Sequence, residues 1–255
     1  MKTILLIAIS SILLLTSCGN MEDEYVLNND GSGKFTMKSN IMPAMVNMSV
    51  TMMKAFSKDS TINEDSARLA LEDEIWKDFG KSVDSTLDYS DKIPDSLKDD
   101  PKTKKIMENM RMFMAGNKKD RKLFMGMTYT FSDFKDLDDF WAFSKKQSQS
   151  SKDKEGPLAS YTETNSNVDV TFENKVFKRT TTVYKEAEMS DSDESLVEAM
   201  FGESLYRTTV VMPSKIKSAF GNGLVKIKGN TATFEYDFMK YMKGQENTDF
   251  VITLK

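Results

Sequence analysis

Tyr25-Val26-Leu27-Asn28-Asn29-Asp30-Gly31-Ser32-Gly33-Lys34-Phe35-Thr36-Met37-Lys38 decides the fold class. Two short runs rich in aromatic and β-branched residues flank a turn whose Asp-Gly pair suits positive backbone angles. That combination predicts a β-hairpin over residues 24–39. The same grammar returns downstream. Val168–Phe172 and Val176–Tyr184 read as a hairpin across Glu173-Asn174-Lys175, and Leu224–Lys228 pairs with Thr231–Tyr236 across Gly229-Asn230. Arg121–Phe131, Leu205–Met212 and Phe250–Leu254 complete the strand-like runs.

Helical spacing fills the rest. Met42, Met45, Met48, Met52 and Phe56 recur at three and four residues, predicting a helix over 43–58 with Pro43 in its first turn. Leu69, Leu71, Ile75, Trp76 and Phe79 predict a second helix ending near Gly80, and residues 82–101 read as a loop. Ile106, Met107, Met110, Phe113 and Met114 predict a helix over 102–115, closed by Gly116-Asn117. Leu137, Phe140, Trp141 and Phe143 mark an amphipathic helix over 134–147, with Trp76, Trp141, Phe140 and Phe143 as buried anchors. Residues 144–156 are polar, 191–201 read as a short helix closed by Gly202, and 237–243 as a helical turn. The sum is a single α+β domain over 25–255. About eight mostly antiparallel strands pack on two to four helices, with a helical insertion at about 41–120.

The N-terminus predicts a compartment. Lys2 precedes an apolar run from Ile4 to Leu15 that is too short to span a bilayer, and Leu15-Thr16-Ser17-Cys18 follows. Residues 1–17 therefore read as a lipoprotein signal peptide with Leu15, Thr16 and Ser17 as the lipobox. Cys18 is the lipidated first residue of the mature chain, and residues 18–24 form an acidic tether through Glu22-Asp23-Glu24. Cys18 is the single cysteine of 255 residues, so once acylated it leaves no thiol for disulfide, thiolate site or nucleophile. The membrane is thus the expected partner, through acyl chains on Cys18.

Composition prunes the functions. Histidine is absent, which removes Ser-His-Asp triads, His-ligated zinc and His general bases. Carboxylates are plentiful but lie in solvated runs such as Glu72-Asp73-Glu74, Asp138-Asp139 and Asp191-Ser192-Asp193-Glu194. Removal of the signal takes Lys2 from 35 basic side chains and nothing from 39 acidic ones, leaving the mature domain at about −5. That balance argues against a nucleic-acid partner. No cofactor and no enzymatic activity are expected.

The 19 methionines are the second unusual feature. Three readings stand side by side: gap-filling core residues, a deformable lining for an apolar ligand formed by Met42, Met45, Met48, Met52, Met107, Met110 and Met114, and a soft-metal Cu(I) site at Met42, Met45 and Met48. The expected function is a non-catalytic, outer-membrane-anchored lipoprotein that binds an apolar or envelope lipid ligand or a protein partner. The alternatives are a structural or adhesion-type surface lipoprotein without a ligand cavity and Met-based Cu(I) handling.

The lipobox, the acidic tether, the Tyr25–Lys38 hairpin and a C-terminal unit running from Tyr206 through Met212-Pro213 and Gly229-Asn230 to Leu254 resemble the small uncharacterised envelope lipoproteins of the phylum Bacteroidota. The C-terminal unit is also similar to the LppM-like lipoprotein domain. That resemblance covers both ends and not residues 41–120. It implies binding of envelope lipids and brings no catalytic residue. Glu22-Asp23-Glu24 resembles that phylum's signal for surface display, which implies the outer membrane and leaves the facing side open.

Overall fold

A computed structural model describes residues 21–56, 63–88, 100–150, 166–183 and 204–255, together with Glu198. The signal peptide, the lipobox and Cys18 lie outside the described residues, as does the helix expected over 191–201. Residues 151–156 of the polar segment 144–156 lie outside them too.

The fold is mixed α+β, with twelve strands and five helices among the described residues. The central hairpin forms as expected from β1 (Met21–Leu27) and β2 (Gly33–Asn40), paired antiparallel from Met21↔Ser39 to Leu27↔Gly33. Its turn is held by Asp30, whose carboxylate accepts from the Ser32 N–H at 3.0 Å. Gly31 takes φ +85°, a conformation open to a residue without Cβ.

An eight-stranded sheet grows outward from this hairpin. Its other strands are β3 (Ser82–Asp88), β4 (Met110–Asn117), β5 (Lys122–Phe131), β8 (Leu205–Val211), β10 (Leu224–Lys228) and β11 (Thr231–Asp237). The order is β10-β11-β8-β1-β2-β5-β4-β3. All pairings in this sheet are antiparallel except β1 with β8, which is parallel. A second sheet, β6-β7-β12-β9, combines β6 (Ser166–Glu173), β7 (Val176–Val183), β9 (Ile216–Gly221) and β12 (Phe250–Leu254). The two sheets share one core: Phe234 of the large sheet stacks on Phe250 of the small one at 4.4 Å, and Tyr25 meets Phe177 edge-on at 5.8 Å.

Helices cover what the small sheet leaves. α1 (Met42–Phe56) and α2 (Glu64–Phe79) pair over a second cluster built on Met42, Val46, Val50, Trp76 and Leu123. Asn63 caps α2 by accepting from the Ser66 N–H, and Gly80 ends it at φ +77°. α3 (Pro101–Asn109), capped by Asp100, and α4 (Phe134–Ser150) pack on the main core, where Phe140 stacks on Tyr129 at 4.6 Å. α5 (Phe238–Met242) follows β11 directly.

Three expectations are corrected. Residues 82–88 form an edge strand and not a loop, because Val83, Ser85 and Leu87 alternate in register with β4. Met110–Asn117 is a strand and not the end of a helix. Met110, Met112 and Met114 satisfy period two as well as they satisfy helical spacing, and ladders to both β3 and β5 decide between them. The stretch 41–120 is therefore no purely helical insertion; it supplies two strands to the main sheet. The third correction moves the tether: Met21–Glu24 belong to β1, flanked by β2 and β8, so Gly19 and Asn20 alone lie between Cys18 and β1.

On the outer face of the large sheet, Lys38, Glu22, Arg207, Glu235 and Lys226 form a chain of ion pairs at 3.1, 3.1, 2.9 and 2.7 Å. The hydrogen bond from Lys226, followed by Arg207, holds the Glu235 carboxyl below its ordinary range against partial burial. Burial raises Asp136 in turn, but hydrogen bonds from Lys105 and Ser132 outweigh it and leave that carboxyl lowered. A depressed folded-state pKa stabilises above the ordinary carboxylate pKa and is lost as pH falls through the folded value. Stability therefore declines on acidification below about pH 5, and Glu235→Gln makes the decline shallower. Urea midpoints measured against pH check this; an unchanged acid slope in the variant contradicts it.

Candidate functional site

The expected methionine site divides between places that do not meet. On α1 the buried stripe is Met42, Val46 and Val50, with Met42 1% exposed in the second core. Met45 is partly buried, while Met48 and Met52 are exposed, Met52 at 53%. The Met42-Met45-Met48 set is thus split between core and surface and presents no convergent thioethers. Met107 is buried on α3. Met110 packs on the main core and Met114 on the second, both from β4. Among the described residues, no group of three or more His, Cys, Asp or Glu side chains could hold a metal ion.

Strand register brings a different methionine set together. Read across β1, β2, β5, β4 and β3, one row is Asp23, Met37, Met127, Met112 and Leu87. The neighbouring row on the same face is Met21, Ser39, Met125, Met114 and Ser85. Directly paired side chains stand about 5 Å apart at Cβ, so the thioethers form a continuous floor. Gly126 lets β5 lie close beneath it: a Cβ there would sit 2.3 Å from the Met37 carbonyl oxygen. Met21, Met37, Met110 and Met127 lean on the main core and Met114 on the second, so the floor bridges the two clusters. It is only half covered; Met125 is 44% and Leu87 40% exposed.

The first row ends on charge. Asp23 lies inside the molecule, where its Oδ2 accepts from Arg179 Nη1 of β7 at 3.2 Å and from the Tyr206 hydroxyl of β8. Arg179, 1% exposed, also donates to the Tyr206 hydroxyl at 2.9 Å and to Thr208 at 3.3 Å. Tyr206 stacks on Tyr241 of α5 at 4.5 Å. Burial pushes the Asp23 carboxyl up, while Arg179 and Tyr206 pull against that rise. Burial also works against the Arg179 charge, but Tyr206, Tyr25 and Asp23 outweigh it and hold that pKa above its usual value. Burial raises the Tyr25, Tyr206 and Tyr236 hydroxyls, keeping them protonated.

The centre is not saturated. Asp23 Oδ1, Arg179 Nε and the hydroxyls of Tyr25, Tyr236 and Ser204 are buried without a protein partner. Such groups cost about 1–3 kcal/mol each unless something polar meets them. The floor thus runs from half-covered thioethers at Met125 to a polar centre enclosed in the core.

Sequence reasoning missed this centre because Glu22-Asp23-Glu24 has the composition of a solvated spacer. The available signal was phase. Asp23 alternates with Tyr25 and Leu27, both core residues, and Arg179 alternates with Phe177.

No protein-family model and no curated protein matches this chain. The structure is similar to the folded domain of LppM from Mycobacterium tuberculosis, determined by NMR. The TM-score is 0.34 and the sequence identity 10%, over 93% of this chain and 91% of that one. A likeness this distant carries neither a ligand nor a residue role. No helix among the described residues is long and apolar enough to cross a membrane.

Proposed function

We propose that this protein is a non-catalytic envelope lipoprotein, anchored in the outer membrane through Cys18, whose domain binds an amphipathic envelope lipid on the methionine floor. The observation that carries this reading is the pair of cross-strand rows in which Met37, Met127, Met112, Met125 and Met114 stand side by side, half covered. Unbranched, polarisable thioethers adapt to an acyl chain without a fixed shape, and a floor of several adjacent strands follows its length. Asp23 and Arg179, 2% and 1% exposed, close the buried end of the floor.

Native mass spectrometry of the protein purified from the envelope of its own type of host, followed by organic extraction, tests this. A stoichiometric acyl lipid beyond the chains on Cys18 is the expected result. A clean mass without bound lipid, unchanged when lipid extract is added, overturns it.

A second reading rests on the same register. Met37, Met127 and Met112 are direct cross-strand neighbours, close enough for thioethers to share one soft cation. Retention of Cu(I) in the same spectrum, in place of lipid, favours Cu(I) handling.

A further inference from the structure

We propose that the end of the domain at which β1 begins rests on the bilayer surface, with Phe220 and Leu224 in the interface, so that the methionine floor opens toward the membrane. This rests on the lipid-anchor reading of Cys18.

Register defines the end. Leu205 starts β8 beside the start of β1, Asp237 pairs with Leu205, and Leu224 starts β10 opposite Glu235. Arg179, bound to Asp23, pairs with Phe250, and Phe250 pairs with Gly221, so the Gly221-Asn222-Gly223 turn lies at the same end. α1 leaves the sheet there after Asn40, and the chain returns after α2 at Ser82, opposite Asn117.

Apolar exposure is concentrated at that end. Of the six exposed large apolar side chains on strands among the described residues, four belong to it by register: Phe220 at 68%, Leu224 at 60%, Leu205 and Met125. Phe220 and Leu224 flank the Gly221–Gly223 turn, with Leu205 and Met125 along the same rim. The opposite end is made of polar turns: Asn28–Ser32, Ser132-Asp133, Asn174-Lys175 and Gly229-Asn230. Phe220 and Leu224 astride one turn form an apolar tip at the end where the chain enters the fold.

Chain length selects the occupant. Three peptide steps separate Cys18 from Met21, a reach of about 10 Å at full extension. Acyl chains on Cys18 therefore hold this end, and no other, against the head groups. The charges agree. Lys119 and Lys122 of the β4–β5 turn stand at the same end beside Lys118 and Arg121, which pair with Asp73 and Glu72 of α2, and Glu235, opposite Leu224, is engaged by Arg207 and Lys226. Met125, the most exposed methionine of the floor, lies on this rim, so the floor's open side and the lipid source coincide.

The acylated chain carries no thiol, so single cysteines report position without background. Full-length Phe220→Cys and Leu224→Cys proteins, and Asn29→Cys at the far end, are labelled with a polarity-sensitive fluorophore in phosphatidylethanolamine–phosphatidylglycerol vesicles containing brominated lipid. The expected result is several-fold quenching at both near-end positions and none at Asn29→Cys. Labels at 220 and 224 that stay unquenched on a protein whose mass shows acyl chains at Cys18 overturn the orientation and leave the anchor reading intact. A mass without acyl chains at Cys18 overturns the anchor reading, and the orientation falls with it.

Discussion

Alanine at Arg179 lowers folding stability by about 3–5 kcal/mol, the range for breaking a buried ion pair by removing one partner. The substitution strands the Asp23 carboxylate inside the core and removes the donors to Tyr206 and Thr208 at once. It also cuts the polar link between the two sheets, since Asp23 stands on β1 and Arg179 on β7. The paired variant Asp23→Leu with Arg179→Met recovers most of the loss, because the net contribution of such a pair against apolar residues of similar volume is small. Urea unfolding of the wild type, the single variants and the double variant gives the coupling energy directly. Equal losses in the single and double variants contradict the account.

That centre shows how composition misleads when tertiary pairing decides. Glu22-Asp23-Glu24 reads as a spacer because acids belong in water, yet β1 is enclosed by β2 and β8 and must bury every second residue. Partners 156 and 183 residues away, Arg179 and Tyr206, make the buried acid tolerable, and no local pattern announces contacts of that span. The hairpins at Asp30-Gly31, Asn174-Lys175 and Gly229-Asn230 were legible because their turn chemistry is local. The helix over Met42–Phe56 was legible for the same reason, although its buried side proved to be Met42, Val46 and Val50 instead of the methionine stripe. Met110–Asn117 was not, since its methionines fit both periods and the ladders to β3 and β5 settle the matter. The floor itself became visible only once five strands were in register.

Glutamine at both Met112 and Met125 abolishes most lipid retention. Each position forfeits about 1.5 kcal/mol or more of apolar contact with the chain, so the pair lowers affinity by about 100-fold or more. Met125 is largely exposed and Met112 half-buried, so stability stays close to the wild type and the loss reports on binding. The matching pair on the helix, Met48→Gln with Met52→Gln, leaves retention unchanged, because these residues lie on α1 outside the two rows. Bound lipid per protein, counted in the same native spectra, separates the pairs. Loss in the α1 pair with retention in the floor pair would move the ligand to the helix.

The most direct measurement is a ¹³C-methyl methionine NMR spectrum of the protein, recorded while short-chain phospholipid is added below its micelle concentration. The account predicts that the Met37, Met112, Met125 and Met127 methyl signals shift together and saturate. Met42 and Met212, each 1% exposed in packed core, should stay in place. A spectrum in which the floor methyls hold still while α1 methyls move, or in which nothing saturates, contradicts the claim that the floor is the lipid site.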